Sequence, residues 1–352
     1  MYEVKQTVID WLLEDNNPPV KYLTYRNVLE HTDTIQLDKL RKSINSYRPI
    51  HEILSNQKEN RYWSFKFGKY GNYELYRGTY WQLHFLNNMY ATRNEQIENA
   101  IDHIFETGQA PNGGFIHATL KSRLFICLAA SMLEAVIHFG YQDDERTQRA
   151  LEYLLSSFVD TGGAIQCFTR GLISNCYMAL PQILRALNAI PSKQRTTRTI
   201  KGIDLCAQRL LENNIYKYLP ERNQEFVRTT SKLKGQDHLD EKNRFLRKHP
   251  DMKLIEKKGW MKFKFPHSYN SDALDAMHAL VSAKISYDSR MNDALVLIKN
   301  QAQNGKWINW QNFRSPMYTT IEESKQPSKW LTLRALEVLK YYEGITITEF
   351  LD

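Results

Sequence analysis

A seven-residue motif recurs along this chain at a constant place relative to its helical segments, and it limits the folds available. Gln109-Ala110-Pro111-Asn112-Gly113-Gly114-Phe115 and Gln301-Ala302-Gln303-Asn304-Gly305-Lys306-Trp307 both fit Q-x-x-x-G-x-W/F. Phe158-Val159-Asp160-Thr161-Gly162-Gly163-Ala164 is a degenerate copy, its glycine 49 residues after Gly113. The motif reads as a helix that ends, a glycine that takes the left-handed turn, and an aromatic ring that folds back beneath it. One copy would be an ordinary glycine-terminated helix. Copies in phase with a helix repeat mark an array of helical units.

A second periodicity runs through the helices. Leu133-Glu134-Ala135-Val136, Leu184-Arg185-Ala186-Leu187 and Leu333-Arg334-Ala335-Leu336 share a pattern, and Met277-His278-Ala279-Leu280 is close to it. The alanine-to-alanine steps are 51, 93 and 56 residues. The long middle step contains the most basic part of the chain, with 14 Lys+Arg and 7 Asp+Glu between Lys217 and Lys264. Residues 217–264 therefore read as an insertion in a regular array. Such a block is either a solvated excursion or a face for an anionic partner.

Strand-like alternation is scarce and helical spacing is nearly continuous. Val8, Ile9, Trp11, Leu12 and Leu13 form one stripe, which Asn16-Asn17-Pro18-Pro19 ends. Further helices are expected near 20–30, 36–56, 80–90, 95–107, 122–139, 144–157, 173–189, 196–213, 271–284, 288–302 and 328–342. They pair through short polar loops, so the expected class is all-α, built from helical hairpins. The 352 residues suffice for a large core, and 7 Trp, 20 Tyr and 15 Phe demand one. Four cysteines are too few for a secreted disulfide scaffold. The first residues do not resemble a signal peptide, and the apolar stretch Leu124 to Leu133 is too short to span a bilayer. The expectation is a cytoplasmic protein with no transmembrane segment.

Q-x-x-x-G-x-W repeats on helix pairs resemble those of the squalene cyclase and protein prenyltransferase superfamily. Gly78-Thr79-Tyr80-Trp81-Gln82-Leu83, the run from Cys127-Leu128 to Phe139-Gly140-Tyr141, and Lys329-Trp330-Leu331-Thr332-Leu333-Arg334-Ala335-Leu336 are similar to a bacterial and archaeal branch without an assigned reaction. Asp10-Trp11-Leu12-Leu13 and Pro19-Val20-Lys21-Tyr22-Leu23-Thr24-Tyr25-Arg26 resemble its opening helix pair. The resemblance covers nearly the whole chain. It implies one α/α toroid of about five to six helical hairpins over 1–352, with a central cavity at the N-termini of the inner helices.

Cys127, Cys167, Cys176 and His267 fall near that end. Three thiolates and an imidazole suit tetrahedral zinc, and the resemblance implies a zinc ion that activates a thiol. The ligand spacing of the zinc-bearing relatives is not reproduced, and small cysteines also fill tight helix contacts. Cys206 reads as core. Asp272 is either a general acid at a helix start or that helix's N-cap. Trp81, Tyr177, Tyr269 and Trp330, with Tyr80 and Phe125, are candidates to line an apolar cavity or to pack between helices. Arg123, with Lys121, Arg170 and Lys329, is a candidate anion contact.

Neither D-x-D-D nor D-D-x-x-D occurs, which sets aside an orthodox class II cyclase and metal-assisted diphosphate ionisation of the usual kind. No G-x-S-x-G, P-loop, strand-linked Rossmann glycine run or H-E-x-x-H is found, nor a named nucleic-acid motif. Two functions remain. One is an enzyme that holds an apolar or prenyl-type small molecule, with zinc at the cavity mouth. The other is a non-catalytic binding or scaffold protein that uses the cavity and the basic insertion.

Overall fold

Helix formation follows the apolar spacing, and the described chain is mostly helical. A computed structural model describes residues 1–59, 61–64, 71–117, 125–163, 165–167, 172–174, 177–218, 233, 235–248, 254–268, 270–313 and 315–348. In chain order the helices are α1 (Gln6–Leu12), α2 (Pro18–Leu23, continued by a π-helical turn Thr24–Val28), α3 (Thr34–Ser43), α4 (Arg48–Ser55), α5 (Thr79–Asn88), α6 (Glu95–Gly108), α7 (Ile126–His138) and α8 (Glu145–Leu154). They continue with α9 (Leu180–Ala189), α10 (Thr197–Glu212), α11 (Gly235–Lys248), α12 (Ala273–Ser282), α13 (Asn292–Asn300) and α14 (Lys329–Glu343). Among the described residues, no helix is long and apolar enough to cross a membrane.

The helices divide by burial. In α5 every residue from Thr79 to Asn87 is buried, and α7, α9, α12 and α14 are buried on most sides. By contrast α6, α8, α10 and α13 bury one face, as Ile97, Ala100, Ile101 and Ile104 show on α6. The alanines of the repeat, Ala135, Ala186, Ala279 and Ala335, are fully buried on α7, α9, α12 and α14. A methyl at these positions lets neighbouring buried helices approach closely.

The buried helices pack in a definite order: α5 on α7, α7 on α9, α9 on α12, α12 on α14, and α14 on α2 with its π-turn. Tyr90, just past α5, returns to the start of that series. Its ring stacks on Tyr22 at 6.0 Å, and its hydroxyl accepts a hydrogen bond from Arg26 at 2.6 Å. Strand β1 (Tyr2–Lys5) lies parallel to the last strand, Ile345–Thr348, with Tyr2 opposite Ile345. The other strands are short antiparallel pairs: β2 (Ile165–Cys167) with β3 (Leu172–Ser174), β4 (Lys217–Tyr218) with β5 (Ile255–Glu256), and β6 (Trp307–Ile308) with β7 (Pro327–Ser328). The β4–β5 pair sets Lys217 and Tyr218 against Glu256 and Ile255 within the basic segment 217–264, and Trp260 and Phe263 of that segment are buried in the core.

The recurring motif does what its residues require. Gly113 has φ +90° and Gly305 φ +75°, the left-handed region that glycine enters without strain. Gln109 donates to the Arg146 carbonyl in the first turn of α8. At the tail of its copy, the Trp307 indole N–H reaches back 2.7 Å to the Ile298 carbonyl in the last turn of α13. A further copy is present that the glycine pattern concealed. Gln57 donates to the Gln96 carbonyl, Arg61 takes the glycine's place at φ +71°, and Trp63 donates to the Ile53 carbonyl at 2.8 Å. Backbone bonds from Lys58 to Tyr62 and from Arg61 to Lys58 reproduce those from Ala110 to Gly114 and from Gly113 to Ala110.

Several expected boundaries are corrected. The segment 36–56 is broken between α3 and α4, where Pro49 starts a new helix. In the segment 173–189, residues 172–174 form a strand, and a 3-10 turn over Tyr177–Ala179 leads into the α-helix at Leu180. Cys167 is the last residue of β2.

Candidate functional site

Charged side chains from the buried helices meet in the middle of the molecule. Arg185 of α9 lies 3.3 Å from Glu134 of α7 and pairs with Asp275 of α12. Arg334 of α14 lies 3.8 Å from the same Asp275 carboxylate and donates at 3.0 Å to His267 Nδ1. His267 in turn bonds Asp272 through Nε2 at 3.1 Å. Since Arg334 can only donate, Nδ1 is the acceptor and Nε2 carries the proton given to Asp272. Burial alone would raise the Asp275 carboxyl. The charges of Arg185 and Arg334 and the Ser271 hydroxyl outweigh it, and hold this group far below the usual carboxylate range.

One cavity of about 390 Å³ opens beside this cluster. All of the buried helices line it with polar side chains: Arg26 and Asn27 follow α2, Asn87 and Asn88 end α5, and Glu134 and His138 lie on α7. Arg185 and Asn188 come from α9, His278 from α12, and Arg334 and Glu337 from α14. Apart from α14 these residues lie late in their helices, so the cavity is at the end opposite to the helix starts. His278 bonds Glu337 at 2.7 Å, and Asn27 donates to the other oxygen of that carboxylate at 2.5 Å. Burial would raise Glu337, but these two partners hold it below its ordinary value.

Asp272 is the N-cap of α12. One carboxylate oxygen accepts the Asp275 N–H at 2.9 Å, and the other accepts the Lys264 N–H at 2.8 Å as well as the His267 ring. Both oxygens are engaged, and the side chain is fully buried. The geometry is that of the cap.

Of the expected zinc ligands, Cys127 is half-buried in the first turn of α7 and His267 is buried in the ion cluster. Hydrogen bonding to Arg334 and Asp272 leaves neither His267 nitrogen with a lone pair for a metal. Cys176 lies outside the described residues, and Cys167 is described by its backbone alone. No group of three or more metal-ligating side chains occurs among the described residues. Cys206 is buried on α10 as expected, and burial pushes its thiol up.

Trp81 and Trp330 are both buried. Trp81 belongs to an aromatic cluster near the start of α5, with Tyr76 at 4.9 Å, Phe85 at 5.8 Å and Tyr73 at 5.9 Å. The recess beside it, lined by Tyr80, His84, Leu128 and Met132, has a volume of about 10 Å³. Trp330 stacks face to face on Phe265 at 4.6 Å and also edges the polar cavity. Tyr269 and Arg123 lie outside the described residues, and the Tyr177 side chain is not among those described.

Of the central ion cluster, His267 and Asp272 were expected as site residues in other roles, and Glu134, Arg185 and Arg334 were not. Glu134, Arg185 and Arg334 were visible as the variable second position of the repeated helix pattern, a charge recurring in an apolar run. That was the available signal. No protein-family model matches this chain, and no curated protein matches it.

Proposed function

We propose that the chain is an α/α toroid of the squalene cyclase and prenyltransferase kind, and that it binds a small polar molecule on the axis of its ring. Three relationships support the ring. The packing order of the buried helices returns to its start at Tyr90 and Arg26. Gly113 abuts Arg149 of α8, the next surface helix, and Gly305 abuts Val8 of α1 in the same way. The first and last strands pair.

The observation that carries the polar reading is the cavity itself. Six helical segments each turn polar groups into one space of about 390 Å³, a size that suits a small metabolite. An apolar ligand there would strip water from ion pairs without replacing its hydrogen bonds, which is costly. The aromatic recess, at about 10 Å³, holds about one water molecule. A non-catalytic binding protein is therefore the better reading than a cyclase.

A thermal-shift screen with amino acids, dicarboxylates, sugar phosphates, neutral sugars and prenyl diphosphates tests this. The expected outcome is stabilisation by polar compounds that is lost in Ala189→Trp, which fills the cavity wall. Stabilisation by prenyl diphosphates alone, or equal binding to the filled variant, would overturn it.

The aromatic cluster at Trp81 favours one second reading. An apolar or prenyl-type substrate would enter at that end, with Cys127, Cys167 and Cys176 as thiolate ligands of zinc. His267 does not complete that set. Zinc analysis of protein purified without chelator tests it, and stoichiometric zinc lost in Cys127→Ser is the result this reading requires.

A further inference from the structure

The acids that line the central cavity are matched, and one of its cations is not. Glu134 has Arg185, and Glu337 has His278 and Asn27. Arg185 and Arg334 have Asp275. Arg26 differs. Its Nε donates to the Asn27 side-chain oxygen at 2.8 Å and its Nη1 to the Tyr90 hydroxyl at 2.6 Å. Its guanidinium carbon lies 5.2 Å and 5.1 Å from the ring centres of Tyr22 and Tyr90. Among the described residues, no carboxylate lies within ion-pair distance of it.

A half-buried guanidinium without a counter-ion is unfavourable, because neutral partners replace its hydration without balancing its charge. The two tyrosine rings orient the group and supply their faces, a weaker substitute for an anion. The Tyr90 hydroxyl, having accepted from Arg26, still has its own proton to donate. Arg26 and Tyr90 therefore present a charged fork and a hydroxyl donor on the wall of the same cavity.

We propose that the Arg26 end of the cavity is an anion subsite, which holds the carboxylate or phosphate group of a small molecule whose polar body fills the remaining space. This rests on the cavity being a ligand site, and it adds the chemical class of the ligand.

The test is calorimetric titration of the full chain with sodium phosphate, sodium acetate and a neutral sugar at constant ionic strength. The first two arms separate a phosphate from a carboxylate preference. Saturable binding of at least one anion is expected. Arg26→Gln should weaken it at least about tenfold, which corresponds to about 1.4 kcal/mol. Arg26→Lys, which keeps the charge but not the fork, should fall between the two. Arg48→Gln, on a different face, should change nothing. Circular dichroism and melting establish that each variant is folded. If Arg26→Gln does not fold, Tyr90→Phe keeps the ring beneath the guanidinium and removes the hydroxyl donor, and it should weaken anion binding several-fold.

Anion binding that survives Arg26→Gln within about twofold would overturn the subsite. Sugar binding without anion binding would overturn the subsite and leave the cavity reading standing. Absence of binding in all arms would overturn both.

Discussion

Gly305 rests against Val8, so the end of the last motif copy is packed on the first helix of the chain. A Cβ on this glycine would lie 2.8 Å from Val8 Cγ2, and its φ is +75°. Gly305→Ala should therefore be strained twice, by the left-handed backbone and by the contact. A loss of about 2–4 kcal/mol is expected in urea denaturation. Arg61 occupies the equivalent turn of another copy at φ +71° and is exposed. Arg61→Gly should be neutral or stabilise by up to about 1 kcal/mol, since it relieves the same backbone without filling any space. Equal effects at the two positions would refute the shared turn.

The motif's tryptophans end the helices before them. Trp63 and Trp307 are fully buried and give their indole protons to the Ile53 and Ile298 carbonyls. Trp63→Phe and Trp307→Phe should each remove the indole bond and leave the carbonyl only a long backbone bond, from Asn56 to Ile53 at 3.2 Å and from Gln301 to Ile298 at 3.3 Å. A cost of about 1–3 kcal/mol is expected, read as a lower melting temperature with unchanged helical content.

Asp275 joins two arginines from different helices. Asp275→Asn removes the charge that both face and keeps the volume. The expected loss is about 3–5 kcal/mol, because Arg185 and Arg334 are left buried together with one fewer acid. Asp293→Asn is the exposed control and should change stability by less than about 1 kcal/mol. A small effect at Asp275 would mean that the cluster is hydrated and loosely held.

His84 supplies the pH dependence. Burial depresses its imidazole to about 4, and its ring bonds the His267 carbonyl at 2.9 Å. In the unfolded chain this histidine takes up a proton below about 6.5, whereas the folded chain does so only near 4. Between these values the unfolded state binds more protons, so stability falls as pH falls. The contribution of His84 is about 3 kcal/mol across the window. Denaturation at pH 7, 6 and 5 should show a shallower decline for His84→Gln than for the unsubstituted chain. Parallel curves would show that the imidazole is solvated.

The helical class and its repeat were legible because they rest on local chemistry. Buried alanines recur on the core face, and Asn94, Asp144, Thr196 and Ser328 cap the helices they precede. Gly113 and Gly305 stand where the backbone must turn left-handed. The copy at Gln57 to Trp63 was hidden because an arginine tolerates that same turn at a cost. Its glutamine and tryptophan kept the spacing and were the signal to follow.

The site lay beyond that reach. Asp272 as cap or acid could not be decided from its position, since either role places an aspartate at a helix start. The decision came from Lys264, His267 and Asp275, which occupy both of its oxygens. Glu134, Arg185, Asp275 and Arg334 come from four helices, and nothing within any one of those stretches of sequence says which of them meet. A salt bridge depends on a few ångströms of separation, and hydropathy periodicity carries no such information. The sequence by itself determined which helices form and which of their faces are apolar. Only the tertiary structure decided which charges neutralise one another at the centre, and which one, at Arg26, is left facing the cavity.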